Sequence, residues 1–432
     1  RWGTFPSYAI AYTFTEEPYM DWARDFLDFG KVRLSYGKSG KQFEYPYFAF
    51  GVLIVNNVPF HGNQTITPYW PDGLINPKLS WEETKQFDAG LDLEFFGNRL
   101  SFELDYYYRY TDKLLAQVTL PGDYNAYISQ WQNAYAISNQ GIELQIKADL
   151  VRSEKLHWDF SFNIARNWNR FEKSNNGMDF TNLASKHNLN IIGKPLNGIY
   201  VYNDQGYYNS QDEVPLYYVN GRRKYLSSLG NQIYTPGDRR IQDVDGNGQV
   251  ATMVPLLEDR VYGGSPLPLA FGGIATTLKW KGIDVNLLFS YKLGRHVLNA
   301  GRGASVGTIL RANTAEMMVP ILADLDKVSF WQKPGDNTDF PINELENGKN
   351  NFATNLKSNV EKINYLKLKS ISIGYTLPVF PKQSKHYARV FMSVENVFTI
   401  TNSSSPDPES IDIVTGVDSN NNYPLATRYT LG

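Results

Sequence analysis

The chain has 432 residues, and its 42 Lys and Arg against 44 Asp and Glu give a formal net charge of −2. This balance lacks the basic excess with which nucleic-acid-binding proteins contact phosphates, so we expect no nucleic acid as a partner. The mean hydropathy of −0.40 is too polar for a bundle of membrane helices, and the absence of Cys excludes disulfides and thiolate metal sites. Aromatic residues make up 14% of the chain and there are 34 Gly, a composition typical of an all-β protein with many turns.

Apolar and polar side chains alternate with a period of two over segments of about ten residues, which is the length of a tilted membrane β-strand. The pattern is clearest in residues 100–111, where Phe102 and Leu104 share one face while Glu103 and Asp105 share the other. About eleven such segments are present, near residues 4–16, 30–39, 85–97, 99–112, 137–151, 155–169, 268–281, 282–293, 362–378, 386–400 and 424–432.

The connections between these predicted strands alternate between short and long. The short ones lie near residues 17–29, 97–99, 151–155, 281–282 and 379–385, and the long ones at 40–84, 113–136, 170–267, 294–361 and 401–423. Outer-membrane barrels combine short periplasmic turns with long extracellular loops, whereas a sandwich has no reason to place every long loop at one end. We therefore predict an all-β, transmembrane antiparallel β-barrel with long extracellular loops, the alternative being a soluble sandwich or propeller.

Several motifs of one known family follow each other in order along the chain. They are Arg1-Trp2-Gly3-Thr4-Phe5-Pro6-Ser7, Lys31-Val32-Arg33-Leu34-Ser35-Tyr36-Gly37, Leu79-Ser80-Trp81-Glu82, Gly90-Leu91-Asp92, Phe96-Gly97-Asn98-Arg99-Leu100, Asn139-Gln140-Gly141-Ile142-Glu143, Pro236-Gly237-Asp238, Tyr365-Leu366-Lys367-Leu368, Glu395-Asn396-Val397-Phe398 and Asp407-Pro408-Glu409. Their order and coverage make the chain resemble the C-terminal half of SusC-like (RagA-like) TonB-dependent outer-membrane transporters of Bacteroidetes.

This resemblance implies that residues 1–432 form about eleven strands of a barrel of about 22, with the plug domain and the first half of the barrel outside this chain. It implies active import of oligosaccharides or peptides through the outer membrane of a Gram-negative, Bacteroidetes-like bacterium. The implied partners are outer-membrane lipid, a surface lipoprotein of the SusD kind over the extracellular loops, and TonB acting through the plug. A surface-attached or soluble all-β carbohydrate-binding or adhesive module is the alternative function.

The segment from Asp243 to Gln249 matches the first half of a calcium loop. Asp243, Asp245 and Asn247 stand at positions 1, 3 and 5 of such a loop, a Gly follows, and Gln249 would supply a backbone carbonyl. The acid expected at position 12 is replaced by Val254, and Glu258 or Asp259 could substitute for it if the intervening residues bulge out. We predict a Ca²⁺ site at Asp243, Asp245, Asn247, Gln249 and Asp259, the alternative being a tight turn without an ion.

Catalysis has weak support, and we expect that the chain is not an enzyme. Ser305 lies in a G-x-S-x-G pattern with Asp324 and His386 following in hydrolase order, but the strand before it and the helix after it are missing from the pattern.

Tyrosines cluster in the longest predicted loop. Aromatic rings among Asn and Asp suit sugar or peptide ligands, because these residues combine apolar faces with polar tips. The predicted substrate or partner contacts are Tyr200, Tyr202, Tyr207, Tyr208, Tyr217 and Tyr218. The alternative is that these tyrosines stabilise the loops.

Overall fold

A computed structural model of the chain describes residues 3–42, 53–55, 58–60, 64–66, 69–71, 74–120, 129–174, 180–181, 187–219, 221–228, 231–250, 258–301, 329–342, 354–378, 388–419 and 423–432. Its strands are β1 (Ser7–Thr13), β2 (Leu27–Lys41), β3 (Leu53–Val55), β4 (Val58–Phe60), β5 (Gln64–Ile66), β6 (Tyr69–Pro71), β7 (Glu82–Phe95), β8 (Leu100–Thr119), β9 (Ser129–Arg152), β10 (Leu156–Lys173), β11 (Phe180–Thr181), β12 (Asn188–Asn190), β13 (Gly198–Tyr202), β14 (Asp204–Tyr207), β15 (Leu216–Val219), β16 (Arg222–Tyr225), β17 (Ser227–Ser228), β18 (Arg239–Ile241), β19 (Gln249–Val250), β20 (Arg260–Gly264), β21 (Ala270–Trp280), β22 (Ile283–Asn299), β23 (Val360–Leu377), β24 (Ala388–Thr401), β25 (Val417–Asp418) and β26 (Arg428–Leu431). Short 3₁₀ turns lie at Phe14–Glu16, Pro18–Ala23, Gln211–Glu213 and Lys357–Asn359. In the part of the chain that the structure describes, no helix has the length and apolar character to cross a membrane.

The chain divides into two compact units, and each contains part of the predicted strand series. The first unit comprises Arg1–Phe180, Ile191–Leu196 and Gly272–Asp284, and its strands are hydrogen-bonded in the order β1-β2-β7-β8-β9-β10-β21. The second comprises Thr181–Asn190, Asn197–Phe271 and Val285–Gly432, and contains the order β22-β23-β24-β26. Each of the eleven predicted segments overlaps one of these strands, so the all-β prediction is confirmed.

Strands β8 and β9 are longer than the sequence pattern indicated. Their pairing continues through the predicted loop 113–136, as far as Thr119 opposite Ser129. A bulge shifts the register between Thr111 and Leu114, and Lys113 within it has a φ of 59°. The bulge interrupts the alternation of apolar and polar residues and thereby hides the continuing strand.

One face of the first unit's sheet carries a row of apolar side chains. Leu104 on β8 lies opposite Leu91 on β7 and Leu144 on β9, and Val32 and Ile164 extend the row onto β2 and β10. Leu104 remains 41% exposed. In a soluble sandwich such a row would be buried against a second sheet, whereas an exposed row is expected where the neighbour is lipid.

The opposite face of this sheet is polar. Arg33 binds the Asp92 carboxylate with two hydrogen bonds of 2.7 and 2.8 Å, and Lys113 Nζ lies 2.5 Å from an oxygen of Glu83. The alternation therefore separates an apolar face from a charged one, as in a barrel whose lumen is polar.

The part of the longest predicted connection, 170–267, that belongs to the second unit packs around an apolar core, to which Leu356 also contributes. Small antiparallel pairs form between β13 and β20, β14 and β18, and β15 and β16. The core, which we call the loop core, consists of Tyr202, Tyr208, Val214, Leu226, Tyr234, Ile241, Val250 and Leu356. Burial of these side chains stabilises the loop as a folded element.

The segment 402–419 is bound to the strands of the second unit by buried charges. Lys367 Nζ lies 3.1 Å from Asp407, and Lys369 Nζ lies 2.8 Å from Glu409. Arg295 is only 1% exposed and donates to the backbone carbonyls of Pro266 and Ile411 at 2.9 and 3.4 Å. Because buried charges are costly unless paired, these contacts fix the position of the segment.

Candidate functional site

A polar cavity of about 510 Å³ lies in the second unit, with Leu356 of the loop core in its wall. This volume is within the range of small-ligand sites. The charged lining residues are Asp204, Arg239, Asp336 and Asp339, and two aromatic rings, Tyr207 and Phe340, join them. Amides and hydroxyls of Asn209, Asn337, Thr338 and Ser358 complete most of the polar lining.

A buried ion pair fixes one wall of this cavity. Arg239 Nη1 lies 2.9 Å from Asp204 Oδ2, and the two side chains are 8% and 2% exposed. The other oxygen of Asp204 accepts a hydrogen bond of 2.9 Å from the Ser358 amide. The guanidinium also lies over the Tyr207 ring at 5.4 Å, because Tyr207 and Arg239 are opposite each other in the β14–β18 pair. Burial, the ion pair, the hydrogen bond from Ser358 and the contact with the Tyr207 ring together make this wall rigid.

The other wall is the segment 329–342, which hydrogen bonds hold against β14. The Tyr207 hydroxyl donates to the Thr338 carbonyl at 3.2 Å, and the Gly335 amide donates to Asn209 at 2.7 Å. Asp336 Oδ2 accepts from the backbone amides of Gln332 and Lys333 at 3.0 and 2.9 Å. The cavity is therefore shaped before any ligand arrives, which lowers the cost of binding.

The predicted tyrosine contacts divide into two groups. Tyr202 and Tyr208 are 0% and 1% exposed and belong to the loop core, and Tyr200 is also buried, with its ring packed edge-on against Tyr262. Their burial leaves little surface for a ligand, and their contact role stays a prediction. These three stabilise the loop, which was the alternative interpretation.

The other three tyrosines remain accessible, and their contact role stays a prediction. Tyr207 lines the cavity, and Tyr218 is 71% exposed at the β15–β16 hairpin. Tyr217 is partly buried beside the segment from Asp243 to Gln249, which we call the acidic loop. Burial, followed by the nearby charge of Asp243, raises the pKa of Tyr217 to about 12, so its phenol is neutral at physiological pH.

The acidic loop has the compact turn that the sequence predicts. Asp243 accepts hydrogen bonds from the amides of Gly246 and Gly248, both at 2.8 Å, and Asp245 accepts from the Asn247 amide. Asp259 joins them although 14 residues of sequence separate it from Asp245, and its Oδ1 accepts from the Val244 amide at 2.9 Å.

One oxygen from each of Asp243, Asp245 and Asp259 lies within 4.8 Å of the others. Three close carboxylates repel one another unless a cation neutralises them, and hard oxygen ligands are what Ca²⁺ prefers. The side-chain amide of Gln249 donates a hydrogen bond to Asn231 Oδ1. The group that Gln249 could offer to a Ca²⁺ ion is therefore its backbone carbonyl. Calcium binding at these residues stays a prediction.

Sequence reasoning missed the cavity itself. Asp204 and Asp336 come from segments more than a hundred residues apart, and no spacing rule connects them. Sequence reasoning also missed a second group of potential metal ligands, formed by Asp149, His157 and Asp159. The strand register brings these residues together, because Asp149 lies opposite Asp159 in the β9–β10 pair. Ser305, Asp324 and His386, considered for a hydrolase, lie outside the described residues.

Comparison with known proteins shows the family. Residues 1–300 match the family model described as TonB dependent receptor-like, beta-barrel. The chain is 29% identical over 429 residues to TonB-dependent receptor P3 of Formosa agariphila, covering 95% of this chain and 38% of that protein. It is 26% identical over 452 residues to TonB-dependent receptor SusC of Bacteroides thetaiotaomicron, covering 100% of this chain and 40% of SusC. The chain therefore spans about two fifths of the length of these relatives.

The fold resembles that of a solved transporter. The solved structure of the RagAB peptide transporter matches 99% of this chain over 43% of its own length, with a TM-score of 0.71 and 22% sequence identity. The matched relatives are named as receptors, in agreement with the expectation that the chain is not an enzyme. The predicted β-barrel class is confirmed, and the chain belongs to the TonB-dependent receptor-like β-barrel family.

Proposed function

We propose that the protein is an outer-membrane transporter that imports oligosaccharides or peptides in a TonB-dependent manner. The observation that carries this proposal is similarity along the whole chain to SusC and to the fold of the RagAB peptide transporter. The exposed apolar row across β2, β7, β8, β9 and β10 supports a position in lipid. An outer-membrane location in a Gram-negative, Bacteroidetes-like bacterium is part of the same proposal.

The proposed partner is a surface lipoprotein of the SusD kind that covers the long loops. The β15–β16 hairpin supports such a contact, because Leu216 and Tyr218 are exposed there and Arg223 donates a 2.8 Å hydrogen bond to the Tyr218 hydroxyl. Exposed aromatic and Arg side chains are enriched at protein interfaces. The TonB protein would act through the plug domain, which the proposal places elsewhere in the whole protein.

Uptake in cells tests the transport proposal. A strain that lacks the gene should lose the uptake of fluorescent oligosaccharides or peptides, the intact gene should restore uptake, and deletion of TonB should abolish it again. Uptake that persists without TonB would contradict the mechanism. Extraction separates the alternative of a surface-attached or soluble module, because a barrel requires detergent and shows heat-modifiable gel mobility.

Purification tests the partnership. Mild-detergent extraction from the native membrane should recover a stoichiometric lipoprotein that protects the loops from protease. We expect the interface to exceed the standard size of about 1,600 Å². Recovery of the barrel alone, with its loops open to protease, would contradict this part of the proposal.

A further inference from the structure

We propose that the cavity between β14 and the segment 329–342 binds a hydroxyl-rich, uncharged saccharide and discriminates against anionic sugars. This inference rests on the proposed import function and names the substrate class for one site in the second unit. Its basis is the charge, the hydrogen-bonding state and the apolar content of the cavity wall.

The charge of the wall disfavours anions. Three lining carboxylates, Asp204, Asp336 and Asp339, stand against one guanidinium, and Arg239 is the only cation among the described residues that line the cavity. That guanidinium is already paired with Asp204 at 2.9 Å in a buried contact. The net formal charge of the described lining is therefore negative, so a carboxylate or sulfate on a ligand would meet repulsion in a partly desolvated site.

The hydrogen-bonding state of the wall favours a ligand that supplies donors. The Tyr207 hydroxyl is committed to the Thr338 carbonyl, and the Thr338 hydroxyl donates to the Phe340 carbonyl at 3.0 Å. Asp336 uses Oδ2 for two backbone amides, while its Oδ1 accepts no hydrogen bond from the residues that the structure describes. A carboxylate oxygen of this kind accepts from O–H groups, which sugars carry on nearly every carbon.

The apolar content fits a sugar ring better than a peptide. Tyr207, Phe340 and Leu356 are the apolar side chains in the described lining. Phe340 is 8% and Leu356 2% exposed, so the half-buried Tyr207 ring is the main apolar surface within a polar frame. Aromatic rings with polar neighbours accommodate ligands that have both apolar faces and polar edges. Peptides are recognised instead through added strands with a series of side-chain pockets, or in apolar grooves.

Binding to the intact protein in detergent tests this inference. The probe is an array of neutral oligosaccharides together with hexagalacturonate, as the free acid and as its methyl ester, and the hits are then measured by calorimetry. We expect binding to neutral sugars. Of the two forms of hexagalacturonate, the charged free acid should bind with an affinity about tenfold weaker than that of the neutral methyl ester. Binding mainly to anionic sugars, to peptides only, or to none of these probes would overturn the inference.

Two variant pairs locate the binding. Asn337→Trp places a large ring at the exposed side of the cavity and should abolish binding, whereas Lys333→Trp alters the same segment outside the lining and should leave it unchanged. Asp336→Asn should weaken neutral-sugar binding and reduce the discrimination against anions. Asp212→Asn, which makes the same charge change at an exposed position outside the cavity, should do neither. Equal binding by Asn337→Trp and the unaltered protein would show that the sugar binds elsewhere.

The two proposals fail in different ways. If the purified protein binds neutral sugars at this cavity but cells show no TonB-dependent uptake, the transport proposal is wrong and the cavity assignment stands. If uptake depends on TonB but Asn337→Trp changes neither binding nor uptake, the cavity assignment is wrong and the transport proposal stands.

Discussion

Arg33 on β2 reaches Asp105 on β8 across the strand that separates them, with 3.0 Å between Nη2 and Oδ1. Gly90 on β7 lies opposite both residues in the strand register. A Cβ atom at Gly90 would stand 2.6 Å from the Asp105 carboxylate and 2.7 Å from the Arg33 guanidinium. The missing side chain therefore lets one arginine connect three strands, since it also binds Asp92 on β7.

The first prediction concerns this glycine. Gly90→Ala should displace the two charged side chains and break the Arg33–Asp105 contact without changing the backbone. Because both side chains are partly exposed, the loss should be about 1 kcal/mol or less. The measurement is the urea midpoint of the folded barrel on gels. In an Asp105→Ala background, where the contact is already absent, the same change should add little, and a full additional loss there would contradict the explanation.

The second prediction concerns the two faces of β8. Leu104→Arg should prevent assembly in the membrane, because an arginine facing lipid near the midplane costs about 2–4 kcal/mol. Asp105→Asn should be tolerated, since Arg33 keeps its two bonds to Asp92. Heat-modifiable mobility of each variant measures assembly. Equal tolerance of both substitutions would contradict the assignment of the faces.

The third prediction is a pH dependence of the segment 402–419. Burial alone would raise the pKa of Asp407, but the Glu409 amide and the Lys367 ammonium outweigh it, so the pKa lies below its ordinary value of 3.8. A lowered pKa in the folded state means that this stabilisation is present above the ordinary value and is lost as the pH falls through the folded one. Hydroxyl-radical footprinting of the segment should therefore show increasing accessibility as the pH falls below about 3.8.

Lys367→Met is the variant for this test. It leaves Asp407 buried without its ammonium partner and should release the segment already at neutral pH, with a loss of about 3–5 kcal/mol. A segment that stays protected in the variant, or an acid-induced opening that is identical in both proteins, would show that the pair does not hold the segment.

The fourth prediction concerns the acidic loop. Titration of the intact protein with CaCl₂ should show binding that Asp259→Asn weakens, because the substitution removes a charge but keeps an oxygen for the Val244 amide. Asp212→Asn, at an exposed position outside the loop, should bind as the unaltered protein does. The absence of any calorimetric signal in the unaltered protein would favour the turn without an ion.

The strands were predictable because their signal is local. Alternation of apolar and polar residues in segments such as 100–111 reports the two faces of a sheet directly, and the glycine motifs around Gly90 and Gly141 belong to the same pattern. At Gly141 a Cβ would lie 2.5 Å from the Tyr107 ring, and the Tyr107 hydroxyl reaches Asn167 on the next strand at 3.0 Å. These glycines are therefore places where a polar side chain crosses a strand.

The site was only partly predictable because its parts are distant in sequence. The turn at Asp243 follows from short-range hydrogen bonds and was predicted, and Asp259 was one of two open choices. Burial of Tyr202 and Tyr208 depends on how the loop folds back on itself, which composition does not report. The contact between Tyr207 and Thr338 spans 131 residues, so only the three-dimensional structure reveals the cavity.

Arg295 makes the completion of the second unit depend on a segment more than a hundred residues further along the chain. Its guanidinium bonds to the carbonyl of Ile411, which is 116 residues further along. Before the segment that contains Ile411 has been synthesised and folded, burial of the Arg295 guanidinium would leave this charge without its full set of hydrogen-bond acceptors. The surroundings of Arg295 can therefore become complete only after Ile411 has joined them. Chains interrupted before Ile411 should stay open to water there and be recognisable to quality-control proteases.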